Sequence, residues 1–190
     1  MKKLRKGCYI LFIRFKKEIL IKIGALGTHQ ILKGVYAYVG SAKGPGGLEA
    51  RVGRHFKKNK RVKWHIDYLT VRPECFLEGV VMIESETLKE RELVELLENI
   101  GGTHTIKGFG NSDDKSTVSH LLYFGNIGLE EICKGLKKHI KEKMKGKLGE
   151  LVNPDSIWIT DICKACNFNF EKNKKRAFKK CREVFLQELQ

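Results

Sequence analysis

From Gly7 to Phe15 the chain is apolar or aromatic at nearly every position, with Ile, Phe and Tyr prominent, which predicts a strand. Val35 to Val39 predicts a second strand, so Tyr9 and Tyr38 can stand side by side on neighbours. Between them, Ile19 to Lys33 reads as an insertion in the hairpin, with Ile19, Ile21 and Ile23 forming an extra strand. Gly44-Pro45-Gly46-Gly47 is a turn signal, and after it Leu48, Val52 and Phe56 recur every four residues, predicting a short amphipathic helix over Leu48 to Phe56. Arg51 and His55 lie four apart on that helix, flanking its apolar stripe and directed toward the sheet.

A second helix is predicted over Glu86 to Glu98. Leu93, Val94, Leu97 and Ile100 define its buried side, with Glu90 near the centre of that side and Glu92 well off it. Leu121 to Phe124 predicts a strand, and Leu129 to Met144 a Lys-rich amphipathic helix carrying Ile132, Cys133, Leu136 and Ile140. Asn153-Pro154-Asp155-Ser156 reads as a boundary, followed by two helices over Ile157 to Cys166 and Lys172 to Leu189. These elements make an α/β fold of the α+β kind: a small mixed or antiparallel sheet flanked by helices in residues 1–125, then a basic helical C-terminal extension over 126–190.

Charge changes the picture. The net formal charge is +15 over 190 residues, unevenly spread. Met1 to Lys63 holds seventeen Lys and Arg against Glu18 and Glu49, whereas Trp64 to Gly125 is net acidic. Lys43, Arg54, Lys57, Lys58, Lys60, Arg61 and Lys63 fall on or around the Arg51 helix, where they can track a nucleic-acid backbone. A single charge run is usually a solvated face, but so strong an asymmetry favours an anionic partner. No apolar run approaches the length of a membrane span, and Cys8 to Ile13 ends at Arg14 without a small-residue cleavage site, so a cytoplasmic protein without membrane contact is expected. Six cysteines in that setting predict reduced thiols. Cys163-Lys164-Ala165-Cys166 lacks a second pair, and buried thiols explain it better than zinc, even with Cys181 and His139 in reach.

The order Gly7-Cys8-Tyr9, Tyr38-Val39-Gly40, loop, then Leu48, Arg51 and His55 on a helix resembles the GIY-YIG endonuclease domain, over about the first two thirds of the chain. Gly34-Val35-Tyr36 matches the first fragment better in wording, but Tyr36 and Tyr38 share one strand about 7 Å apart, whereas the family's two fragments occupy neighbouring strands. Tyr9 therefore takes the role, with Tyr36 as its neighbour on the same face. Gly40-Ser41-Ala42, Trp64-His65-Ile66-Asp67-Tyr68-Leu69, Gly108 to Asp113 and Ser119-His120-Leu121 resemble a small archaeal subgroup of unclear function that is sometimes fused to endonuclease III. The resemblance implies that Tyr9, Tyr38, Arg51, His55 and a helical carboxylate surround a scissile phosphate and one divalent metal, Mg²⁺ or Mn²⁺. Glu90 is the first choice for that metal-binding carboxylate and Glu92 the second. Ser41 departs from the Lys of related incision enzymes, with Lys43 as a substitute, and Asp114-Lys115-Ser116 stands where the subgroup has a Cys-x-Cys.

Phosphodiester cleavage needs a base for water, a cation for the pentacovalent charge and support for the leaving oxygen. Tyr near its ordinary pKa of about 10 is a poor base at neutral pH, so Tyr9 or Tyr38 needs help from the metal, Arg51 or His55. Arg51 suits bidentate phosphate binding and His55 proton transfer. Taken singly, the two tyrosines are ordinary strand aromatics and Arg51 with His55 an ordinary helix edge; only their order and shared direction point to a site. Trp64, His65 and Asp67 can support Arg51 or His55, although packing accounts equally for Trp64, and His120 reads as a satisfied core group. The expected function is a metal-dependent endonuclease on DNA, with repair suggested by the fused relatives alone. A non-catalytic nucleic-acid-binding module and an adaptor for an acidic protein are the alternatives.

Overall fold

The computed structural model describes residues 4–111, 116–143 and 157–161. In chain order these form β1 (Gly7–Phe15), β2 (Ile19–Lys22), a 3₁₀ turn (Gly24–Leu26), β3 (Thr28–Ile31), β4 (Gly34–Ser41), α1 (Gly47–His55), α2 (His65–Thr70), β5 (Cys75–Glu84), α3 (Glu90–Asn99), β6 (Thr103–His104), β7 (Leu121–Tyr123), α4 (Leu129–Lys143) and β8 (Ile157–Asp161). The architecture is α+β. One six-stranded sheet, ordered β6-β7-β4-β1-β5-β8 and antiparallel at every pairing, lies between two helical layers.

The unbroken apolar run of β1 follows from its place in the middle of the sheet, where both faces are covered. Cys8, Ile10 and Phe12 enter one core with Val35, Ala37, Val39 and the apolar sides of α3 and α4. Tyr9, Leu11, Ile13 and Phe15 enter the other with Tyr36, Tyr38, Leu48 and Val52 of α1, and Ile66 and Leu69 of α2. In the β1–β4 register Tyr9 faces Gly40 and Leu11 faces Tyr38, so the two tyrosines are diagonal neighbours on one face.

The insertion is a hairpin of two strands, β2 and β3, where one was expected; Ile23 lies in the turn between them. Its Ile21, Ile23 and Ile31 join the second core. Helix α3 starts at Glu90 rather than Glu86, because the preceding turn is consumed by caps: Leu88 N donates to Ser85 Oγ at 3.1 Å and Lys89 N to Glu92 Oε2 at 2.8 Å. The core continues past Gly125, since Leu129, Ile132, Leu136 and Ile140 of α4 pack into the α3 side.

Ile157–Asp161, expected as the start of a helix, is instead a strand on the outer edge of β5, pairing Ile157 with Ile83 and Asp161 with Gly79. Ile-Trp-Ile-Thr is β-branched and aromatic, and that preference with ladder bonding outweighs the helical spacing read from the following residues. The remaining expected helical residues, with Cys163, Cys166 and Cys181, lie outside the described residues, as do Asp114 and Lys115. Among the described residues Cys8, Cys75 and Cys133 are in no disulfide, and no helix is long and apolar enough to cross a membrane.

Candidate functional site

At the Gly7 end of β1 and the Ser41 end of β4, three aromatic rings converge. Tyr9 and Tyr38 have ring centroids 6.4 Å apart, and the His55 ring lies 5.5 Å from Tyr9 and 6.3 Å from Tyr38. The Tyr9 hydroxyl and His55 Nε2 are hydrogen-bonded at 2.7 Å. Their closeness depends on Gly40, the cross-strand partner of Tyr9. A Cβ there would come within 2.4 Å of Tyr9 Cζ and its hydroxyl oxygen, so the ring lies over a position that only glycine leaves open.

The site is dry. Tyr9 is 2% exposed, Tyr38 8% and His55 0%. Burial drives the Tyr9 phenol well above its ordinary range, with the Tyr38 phenol adding to the rise and Arg51 opposing it; burial raises Tyr38 likewise. Burial, then the Lys60 ammonium, lowers His55 to about 3, so the imidazole is neutral at pH 7. His55 Nδ1 is buried without a hydrogen-bond partner among the described residues. Tyr36 lies on the same face, but its hydroxyl is used by Leu32, accepting from N at 2.8 Å and donating to O at 3.1 Å.

Arg51 and Arg54, one turn apart on α1, both lie against the Trp64 ring, at 4.2 and 4.7 Å from its centroid. Their electrostatic settings differ. Arg54 Nη2 donates to Asp67 Oδ2 at 2.8 Å, whereas Arg51 makes no hydrogen bond or ion pair with the described residues. Asp67 is fully buried and also accepts from the backbone N–H groups of Lys63 (3.0 Å) and Trp64 (3.1 Å). Although burial raises its pKa, the hydrogen bonds from Arg54 and these amides outweigh it and hold the carboxyl below its usual range. Asp67 thus supports Arg54 and the Trp64 backbone rather than bonding Arg51 or His55.

The basic run divides. Lys60 Nζ is buried, donating to Thr70 Oγ1 at 2.8 Å and to the carbonyls of Arg54 and His55 at 3.2 and 3.3 Å, with Asp67 Oδ1 at 3.3 Å; it closes the C-terminal end of α1. Lys58 Nζ serves the carbonyls of Arg72 and Cys75, each at 2.7 Å. Lys57, Arg61 and Lys63 are exposed, and Lys43 is half-buried just past β4. Arg54, Lys58 and Lys60 therefore hold the fold together, a duty that a charge run in sequence does not reveal. A Lys just beyond a helix, ahead of a buried Asp, was the one available signal for Lys60.

Glu90 opens α3, in the layer on the other face of the sheet, and its charge is felt at Tyr38. Its charge raises the Tyr38 phenol, after burial and against Arg51, and raises the Cys8 thiol, which burial chiefly pushes to about 12. Glu90 is half-buried and has no hydrogen bond or ion pair with the described residues; Glu92 is committed to the Lys89 cap. The Gly108–Asn111 loop closes the Tyr38 side: Phe109 meets Tyr38 at 6.0 Å and His65 at 5.5 Å, and Gly110 N donates to His65 Nδ1 at 3.0 Å. His120 is buried beside it, and its backbone bonds Phe109 and Val39. Among the described residues no three His, Cys, Asp or Glu side chains converge as a cation cage. One uncommitted carboxylate nonetheless fits an ion such as Mg²⁺, which keeps several waters.

Residues 8–144 match the model of a family described as Domain of unknown function DUF123. No curated protein and no solved structure matches the chain.

Proposed function

The chain belongs to the DUF123 family, and from that premise we propose that it is a GIY-YIG-like, metal-dependent endonuclease hydrolysing phosphodiester bonds in DNA. The observation that carries the proposal is the 2.7 Å bond between the Tyr9 hydroxyl and a neutral, buried His55, beside an Arg51 with no carboxylate partner among the described residues.

In this reading Arg51 grips the phosphate with paired N–H donors. Tyr9 never needs to become phenolate, a state that burial makes costly. Its oxygen accepts a proton from the attacking water while its own proton passes to His55 Nε2. The water oxygen bonds to phosphorus as the bond to the leaving oxygen breaks; that oxygen takes a proton from solvent and His55 releases its own, which restores the neutral imidazole. An anionic phosphate beside Arg51 offsets the cations that depress His55, making the imidazole a better acceptor once substrate is bound. Tyr38, kept protonated by burial, is a hydrogen-bond donor for a phosphoryl oxygen. Glu90 is the residue to hold Mg²⁺ or Mn²⁺, with water completing the shell; when bound, the ion supplies positive charge to the leaving oxygen. Lys57, Arg61, Lys63 and Lys43, which form no ion pair with the described residues, are the cations for the flanking backbone.

The test is cleavage of labelled single-stranded, duplex, flap and abasic DNA and structured RNA with Mg²⁺ or Mn²⁺, comparing wild type with Arg51→Ala and Glu90→Ala. Cleavage lost in both variants supports the reading. The low exposure of both tyrosines favours one competitor, a non-cleaving nucleic-acid-binding module. Salt-sensitive binding without any cleavage, unchanged in Glu90→Ala, would establish that module instead.

A further inference from the structure

We infer that Trp64 is a positioning residue for Arg51, holding its guanidinium in place against an aromatic face while leaving its charge and N–H groups available for phosphate. The inference rests on the proposed phosphate-gripping role of Arg51.

The contrast within α1 carries the argument. Arg54 and Arg51 lie against the same indole, yet only Arg54 meets a carboxylate. A carboxylate would fix a guanidinium but would also occupy its donors and cancel its charge. An aromatic face holds the cation through the ring quadrupole, leaving the donors at the guanidinium rim unspent. Trp64 is itself anchored: its backbone N–H bonds Asp67, whose carboxylate also takes Arg54 and the Lys63 N–H. The buried Asp67 thus ties down both the residue bearing the ring and the neighbouring Arg54, and the ring in turn fixes Arg51. Lys63 Nζ is 5.7 Å from the indole centroid, so the ring collects three cations. Such an arrangement makes a focused positive site beside Tyr9 and Tyr38. The Trp64 ring also lies 6.4 Å from His55, so the test must separate an effect on His55 from one on Arg51.

The experiment compares Trp64→Leu and Trp64→Phe, alone and combined with Arg51→Ala, after thermal melting confirms folding. The Arg51 Nε–H resonance gives a readout independent of activity: ring-current displacement is expected in wild type, most of it in Trp64→Phe, and none in Trp64→Leu. In cleavage, kcat/KM is expected to fall about tenfold in Trp64→Leu and to recover to within about threefold in Trp64→Phe, with the pH profile unmoved. In the Arg51→Ala background, where cleavage is lost and affinity for a single-stranded oligonucleotide is the readout, Trp64→Leu should add less than about twofold, because the interaction it serves is already gone. A full tenfold loss in that background overturns the inference, as does a shifted pH profile, which would assign Trp64 to His55. A Trp64→Leu protein with wild-type cleavage, when Arg51→Ala is inactive, overturns it while leaving the nuclease reading intact. If wild type cuts nothing, that reading fails separately, and the same cycle is read from binding of a single-stranded oligonucleotide: non-additive losses support the inference, additive ones overturn it.

Discussion

Gly40→Ala is the sharpest probe of the site, because the backbone tolerates it and the three atoms nearest the added Cβ all belong to Tyr9. Gly40 is absent from the positive-φ glycines, so an alanine there meets no conformational penalty of its own. Its Cβ would fall 2.4 Å from Tyr9 Cζ and hydroxyl oxygen and 2.9 Å from Cε1, well inside ordinary contact. Tyr9 must retreat by on the order of 1 Å, which breaks its 2.7 Å bond to His55. Overpacking costs about 1–3 kcal/mol and the lost hydrogen bond about 1 kcal/mol, while the less flexible unfolded chain returns about 0.4–1 kcal/mol. The net expectation is a loss of about 1–3 kcal/mol, seen in urea unfolding as a lower midpoint at unchanged slope. Tyr9→Phe should not rescue it, because ring carbon Cζ clashes as closely as the hydroxyl. In a Tyr9→Ala background, Gly40→Ala should become neutral or slightly stabilising. An equal cost in both backgrounds would refute the claim that Gly40 is glycine for the sake of Tyr9.

Other perturbations separate structural from chemical roles. His55 has a folded pKa of about 3, below its unfolded value, so unfolding takes up a proton: its stabilisation is complete above about pH 6.5 and lost as pH falls toward 3, about 2 kcal/mol of it by pH 5. Melting of His55→Gln should be flatter over that range than wild type, with parallel curves excluding the assignment. Lys60→Met removes four contacts and takes the cation from Asp67 Oδ1, an expected cost of about 3 kcal/mol in denaturant, whereas Lys57→Met should stay within about 0.5 kcal/mol and weaken only salt-sensitive nucleic-acid binding. Glu92→Ala should cost about 1 kcal/mol through the lost cap of α3 and Glu90→Ala under about 0.5, with the reverse order of effects on cleavage; calorimetry beside the nuclease assay checks both.

Much of the central fold is legible in the sequence because a buried central strand has to be apolar on both faces, and β1 and β4 are. The four-residue spacing of Leu48, Val52 and Phe56 likewise locates α1 and puts His55 on the sheet side. What periodicity cannot show is a side chain's use of backbone. The start of α3 is displaced by caps from Ser85 and Glu92, whose residue types occur in turns and helices alike. Ile157–Asp161 is five residues long and takes its strand state from the open edge of β5, a partner more than seventy residues earlier in the chain. Short apolar runs of this kind are decided by tertiary pairing rather than by local pattern.

The same distinction reshapes the reading of charge. A run of cations around α1 suggests one continuous surface for an anion, but in three dimensions the run is sorted by a single buried carboxylate. Asp67 draws in Arg54 and Lys60, and Lys58 turns to two carbonyls. Elsewhere in the basic portion Arg5 pairs with Glu49 and Arg14 with Glu78. Electrostatic attraction for a polyanion depends on cations not already neutralised, so net charge overstates the interface. Arg51 stands out for the opposite reason: one turn from the arginine that Asp67 fixes, it lies against a ring instead. A guanidinium held by a ring keeps both its charge and its N–H donors, which is what the proposed grip on a phosphate requires and what an ion pair would take away.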